Sequence, residues 1–206
     1  MFAPQTLVTQ IKLFHKIQIY IINDDTNSKP NPMTVKMNLY KWDDFRVVNS
    51  VEWPCNDLKP NAAVMVTEFD VNKYLNDNSY NVYEYMAEFL LIREETGEII
   101  SKNYAFPEIF KEIRSIADPK PELKITNNKC EKGNHRISLE VKIQSPAIFL
   151  YISLKHEVIK KYRLSKNGIM IFEPIQVVQV TFKNPDCQET VNVENFNFKT
   201  LNQFLI

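Results

Sequence analysis

Apolar residues recur at every second position along much of this chain, in short runs broken by polar, proline-containing or glycine-containing turns. From residue 11 to 21 the odd positions Ile11, Leu13, Ile17, Ile19 and Ile21 are apolar, and Lys12, Lys16 and Gln18 lie between them. Alternation of this kind puts one face of a strand in a core and the other in water. Residues 11–21 are therefore predicted as one half-buried strand, with Lys12, Lys16 and Gln18 facing water. Residues 23–32 form a polar turn region containing prolines. Val35, Met37 and Leu39 resume the alternation and lead to Tyr40 and Trp42. Residues 63–69, 82–92 and 99–106 read as further strands, the last two joined by a turn at Glu95-Thr96-Gly97-Glu98.

The pattern changes near residue 110. Residues 110–116 are predicted to make roughly two helical turns. The segment Ala117-Asp118-Pro119-Lys120-Pro121 is predicted to be stiff and extended, because each proline restricts the residue before it. A domain boundary is expected here, giving domains over residues 1–112 and 118–206. Strand periodicity then returns over residues 122–127, 135–144, 147–154, 168–172, 176–182 and 195–201. Asn167-Gly168, between two apolar runs, is the strongest local signal and predicts a β-hairpin. Gly133 marks another turn. The predicted fold class is all-β, with two tandem sandwiches. A (β/α)₈ barrel needs roughly 200–250 residues and eight helices, and the pattern supplies no such helices.

Composition narrows the function classes. Lys plus Arg and Asp plus Glu both number 25, a net charge of zero that gives no reason to expect a nucleic-acid partner. The charge is divided unevenly: residues 1–110 carry 10 basic and 15 acidic side chains, and residues 111–206 carry 15 and 10. Opposite charge on the two halves favours docking of one on the other or is chance; charge of this size sets approach and orientation more than affinity. No apolar run approaches the roughly 20 residues of a membrane span. Lys12 and Lys16 interrupt the apolar N-terminal residues, so no clean secretory signal is read there, and there is no Asn-x-Ser/Thr acceptor. These features alone read as cytosolic or as a piece of a longer precursor.

The candidate chemistry is sparse. His15, His135 and His156 lie on separate segments without paired spacing and are read as surface or strand-edge residues rather than ligands or catalysts. Cys130 and Cys187 are spaced much as an immunoglobulin-type pair. Both fall in predicted turns with no tryptophan between them, so free thiols are expected; Cys55 has no partner in its own domain. Trp42 and Trp53 can stack on a sugar ring, but packing under a loop is the preferred reading. Asp24-Asp25 and Asp43-Asp44 lack the alternating oxygen ligands and glycine turn of a calcium loop, and are read as turn residues. Lys155, Lys160, Lys161, Arg163 and Lys166 form the sharpest charge cluster, read as a solvated face, with docking on an acidic neighbouring domain as the alternative.

The order of several short motifs resembles the C-terminal region of β-mannosidases of glycoside hydrolase family 2. Residues 1–7, MFAPQTL, resemble the entry into that region; Tyr40, Lys41 and Trp42 resemble its VYxW strand end; residues 101–106, SKNYAF, with Lys111, resemble its NYxF…K segment. Residues 145–152 resemble its APFVWLD strand, residues 165–170, SKNGIM, its SDNGF turn, and residues 196–201, FNFKTL, its closing strand. This chain departs from the pattern at Lys166, where the family has Asp, and at Tyr151-Ile152-Ser153, where it has Trp-Leu-Asp.

The resemblance implies two immunoglobulin-like sandwiches that follow a catalytic barrel. The whole enzyme of that family releases terminal, non-reducing β-D-mannose, in the lysosome of animals. Retaining glycosidases place two carboxylates about 5–5.5 Å apart. In this family both are barrel glutamates, the acid/base following Asn, and this chain has no Asn-Glu dipeptide. The resemblance therefore implies no catalytic, cofactor-binding or metal residue in this chain, no cofactor, and inactivity of the chain alone. Its implied partner is the barrel of a parent enzyme in cis, with mannoside contact only through that barrel and no membrane. The alternative is a stand-alone adhesion or carbohydrate-binding module.

Overall fold

The alternating apolar positions become the inner faces of antiparallel sheets. In this computed structural model the described residues are 5–11, 16–24, 26, 32–56, 58–155, 159, 161–184, 187–188 and 190–205. The chain divides into two units, Met1–Trp42 with Arg46–Arg114, and Asp43–Phe45 with Ser115–Ile206.

In the first unit the strands are β1 (Gln5–Ile11), β2 (Lys16–Asn23), β3 (Met33–Lys41), β4 (Val47–Cys55), β5 (Ala62–Asp70), β6 (Tyr85–Arg93) and β7 (Ile99–Ala105). They form two sheets, β1-β2-β5 and β4-β3-β6-β7, with antiparallel neighbours. Ile17, Ile19 and Ile21 of one sheet share a core with Val35, Met37, Leu39, Phe89 and Leu91 of the other. Leu7 N donates to Ser101 Oγ at 3.2 Å, tying the edge strand β1 to the edge strand β7.

Residues 11–21 are not one strand. Ile11 ends β1 and pairs with Ile17 of β2, so the chain reverses between them. A reversal of the right length keeps the apolar phase, which is why the alternation reads through it. Lys16 is exposed, as the pattern predicts, but Gln18 is buried, its Nε2 donating to Glu68 Oε2 at 2.8 Å. Lys12 lies outside the described residues.

Two elements of this unit give little periodic signal. β4 is an edge strand with mostly exposed and half-buried positions. A short helix α1 (Val71–Asp77) starts at Asp70, whose side chain accepts from Lys73 N at 2.9 Å, and buries only Val71 and Leu75. The roughly two helical turns predicted at 110–116 are reduced to a 3-10 turn, Phe110–Glu112, with Ile113 already extended.

The second unit contains β8 (Glu122–Glu131), β9 (Asn134–Lys142), β10 (Ala147–Leu154), β11 (Tyr162–Leu164), β12 (Ile169–Ile171), β13 (Ile175–Lys183) and β14 (Phe196–Lys199), followed by a one-turn helix α2 (Asn202–Leu205). The sheets are β11-β13-β9-β8 and β12-β10-β14. Ile137, Leu139, Val141, Val178 and Val180 from the first meet Leu150, Ile152 and Ile171 from the second in one core.

Asn167-Gly168 does not close a hairpin. β11 pairs with β13 and β12 pairs with β10, so the strands on either side of the turn belong to different sheets. The turn is a corner at which the chain crosses from one layer to the other. The preference of Asn-Gly for positive φ is still used, since Gly168 has φ +61°. The two-residue hairpin with both central residues left-handed is instead Lys132-Gly133, φ 48° and 72°, joining β8 to β9.

Cys130 and Cys187 form a disulfide, with Cα atoms 5.7 Å apart, which corrects the expectation of free thiols. Cys130 lies on β8 rather than in a turn, so it is held at a fixed place on a sheet. Cys55, at the end of β4, is buried and outside any disulfide.

Candidate functional site

The outer face of β10 carries the most distinctive exposed side chains of the second unit. The strand sequence AIFLYISL buries Ala147, Ile148, Leu150, Ile152 and Leu154, leaving Phe149 and Tyr151 40% and 52% exposed. The pairing with β12 is irregular between Ala147 and Leu150, and Phe149 has φ +48°. An irregularity of this kind re-aims a side chain. Phe149 and Tyr151, two residues apart, are both exposed, while Ala147 and Ile148 are buried in succession at the irregularity. Across the sheet Tyr151 faces Lys199 of β14.

Two asparagines fix this strand. Asn202, fully buried, accepts from Ile148 N at 2.8 Å and donates to Pro146 O at 3.0 Å and Ala117 O at 2.9 Å. Asn167 accepts from Ile152 N at 2.8 Å and donates to Ile152 O at 3.1 Å. A side-chain amide bonded this way acts as a strand partner one residue long, and satisfies backbone groups that β12 does not reach. Phe204 on α2, two residues beyond Asn202, is 72% exposed. Exposed rings of this kind, here beside Lys199 of β14, stack on sugar rings or bury in a protein interface.

The first unit holds carboxylates that the sequence pattern did not single out. Glu88 on β6 is buried and accepts from Tyr40 Oη at 3.2 Å and Asn38 Nδ2 at 3.4 Å, with Lys102 Nζ at 3.6 Å. Glu68 accepts from Gln18 and pairs with Lys16 at 3.3 Å. The charge of Glu88 is compensated by its neighbours, as a buried carboxylate's must be, whereas Glu68 is exposed. Asn38 and Glu88 stand out in their apolar runs only once β3 and β6 are known to pair.

The residues singled out from sequence fall as follows. His135 is buried on β9, its Nε2 bonded to Asn128 Oδ1, its Nδ1 3.1 Å from Asn184 Nδ2, and its ring 4.6 Å from that of Phe182. It is a core histidine rather than a surface one, and burial pushes its pKa below the ordinary value. His15 and His156 lie outside the described residues. Trp42 is fully buried, stacked on Phe106 at 5.9 Å and edge-on to Phe110 at 6.3 Å. Trp53 is half-buried and edge-on to Phe69 at 5.8 Å, so both tryptophans pack.

Asp24 and Asp43-Asp44 follow strand ends, and Asp25 is outside the described residues. Among the described residues, no group of three or more His, Cys, Asp or Glu is placed to hold a metal ion. Among the described residues, no helix is long and apolar enough to cross a membrane. Lys155, Lys161, Arg163 and Lys166 are exposed, and Lys160 is not described.

Comparison with known proteins gives a family for part of the chain. Residues 15–112 match the model of the Mannosidase Ig/CBM-like domain. Among solved structures, the chain is similar to a β-D-mannosidase from Dictyoglomus thermophilum, with TM-score 0.54 and 14% identity, over 96% of this chain and 22% of that one. At that identity the likeness shows the fold, and the chain spans under a quarter of that enzyme's length. A biofilm-associated protein B domain matches at TM-score 0.32 and 10% identity, over 89% of this chain and 72% of that one, too weak to carry an argument. No curated protein matches.

Proposed function

We propose that this chain is a non-catalytic accessory region of a β-mannosidase, since residues 15–112 match the model of the Mannosidase Ig/CBM-like domain. That family match carries the reading. The β-sandwich likeness to a β-mannosidase, over nearly the whole of this chain, supports it. The parent enzyme hydrolyses terminal, non-reducing β-D-mannose with two barrel glutamates, and this region packs on the barrel and contributes no acid, base, metal or cofactor. The lack of any Asn-Glu dipeptide fits that division of labour. Disulfides persist in oxidising compartments, so the Cys130–Cys187 bond fits a lysosomal setting better than a cytosolic one.

Reading the transcript upstream of Met1 tests the proposal. An in-frame barrel with two glutamates is expected, and a stop codon followed by an untranslated leader would overturn it. Purified chain is expected to leave p-nitrophenyl β-D-mannoside unhydrolysed.

One observation favours a second reading, a carbohydrate-binding module. Phe149 and Tyr151 stand two residues apart on one rigid sheet face, an arrangement that suits stacking on successive sugar rings. Calorimetry with mannohexaose separates the readings. Saturable binding lost in Tyr151→Ala supports the module, and no heat of binding supports burial of this face against a protein.

A further inference from the structure

The outward face of the β11-β13-β9-β8 sheet is basic at one end, while at the other Lys124 and Lys142 stand opposite Glu140 and Glu122. Strand register places Arg163 beside Thr181, Thr181 beside Arg136, and Arg136 beside Lys129. One step along, Lys183 faces Asn134. Lys161 precedes β11 and Lys132 sits in the β8–β9 turn. Two open grooves cross this face, one lined by Lys129, Lys132 and Arg136, the other by Arg136, Lys161, Arg163 and Lys183. They share Asn134 and Arg136, so they form one continuous surface.

All six cations are exposed. Among the described residues none of them pairs with a carboxylate; Lys183 Nζ donates to Asn134 Oδ1 at 2.7 Å. Like charges directly opposite on neighbouring strands destabilise a sheet. Here Lys129 stands opposite Arg136 without a compensating acid between them. The one carboxylate lining either groove is Glu131. Six exposed cations with one carboxylate among them leave an excess of positive charge over both grooves, which suits an anion.

We propose that this face binds a linear glycan bearing sulfate or carboxylate groups. Adjacent strands lie about 4.8 Å apart, so the cations form a two-dimensional ladder matched to a chain with repeated anionic groups. Between them stand Asn127, Asn134, Ser138, Gln179 and Thr181, which suit sugar hydroxyls. Protein interfaces draw their affinity from a central aromatic or aliphatic anchor, and single-stranded nucleic acids from stacking aromatics. Phe182, in the second groove, is buried, and Tyr162 packs against the core. Exposed Ile175 and Val177 of β13 lie at the other end of the face and line neither groove, so the grooves themselves hold neither kind of anchor. This surface lies on the sheet opposite β10 and does not depend on the mannosidase reading.

The test is titration of the purified chain with a heparin-derived octasaccharide, by calorimetry at 50 and 200 mM NaCl. Saturable binding is expected, weakening about tenfold or more between the two salt concentrations as counterions are released. The variant Arg136→Gln/Arg163→Gln/Lys183→Gln is expected to lose about tenfold or more in affinity at 50 mM. The control Lys59→Gln/Lys73→Gln/Lys111→Gln, with the same change of charge on the first unit, is expected to bind as the parent does. Arg163→Gln alone, on a short edge strand, gives a smaller loss if the triple variant does not fold. Absence of binding overturns the proposal, as does equal loss in the control. Tighter binding of a DNA duplex or of polyglutamate overturns it too, and assigns the face to nucleic acid or to acidic protein.

Discussion

Asn167 gives both ends of its amide to the backbone of Ile152, and this explains what Asn-Gly is doing here. The dipeptide reads as a hairpin because Gly168 needs positive φ. What the sequence does not display is the partner of the asparagine, which lies 15 residues earlier. Asn167→Ala is expected to lower stability by about 1–3 kcal/mol by leaving a strand N–H and C=O without partners, measured by urea unfolding followed by circular dichroism. His135 makes a second prediction at this scale. Burial lowers its pKa in the folded protein, while the unfolded chain titrates near about 6.5. Below that pH the unfolded state binds more protons, so the stability that neutral His135 contributes is complete above about pH 6.5 and is lost as pH falls through the folded value. Thermal melts from pH 7.5 to 5.0 are expected to fall less steeply in His135→Gln than in the parent.

Among elements, legibility tracks burial. β3 turns Val35, Met37 and Leu39 inward, the apolar phase legible in the sequence, whereas β10 is apolar nearly throughout and its exposed Phe149 and Tyr151 are not distinguished there. β4, at a sheet edge, and α1, with two buried positions, have too little apolar contrast to be seen. The β1–β2 reversal is hidden for the opposite reason, since both strands continue one phase. Cys130 reads as a turn residue because β8 extends to Glu131 through a polar stretch, and this hides the disulfide. Trp42, at the end of β3, anchors an aromatic cluster with Phe106 and Phe110. Its Nε1 is buried and finds no acceptor among the described residues. Trp42→Ala is expected to cost about 3–5 kcal/mol. Trp42→Phe is expected to cost clearly less, because it keeps most of the ring contact and removes an unsatisfied donor. Melting temperatures of the two variants check the order.

For the whole molecule, the sequence carried the all-β class and the family resemblance further than it carried any site. Tyr151 and Arg163 acquire neighbours only when β10 pairs with β14, and β11 with β13, across long stretches of chain. The charge imbalance between residues 1–110 and 111–206 was visible, but its concentration on one sheet face was not. The central proposal is that this chain is the accessory part of a β-mannosidase and performs none of its chemistry. Immunodepletion of a native extract with antibody raised against the purified chain tests it most directly, with hydrolysis of p-nitrophenyl β-D-mannoside as the readout. The account predicts that β-mannosidase activity leaves with the antibody while the chain alone hydrolyses nothing. Activity that stays in the extract after complete removal of the antigen, or saturable turnover by the chain alone, would contradict it.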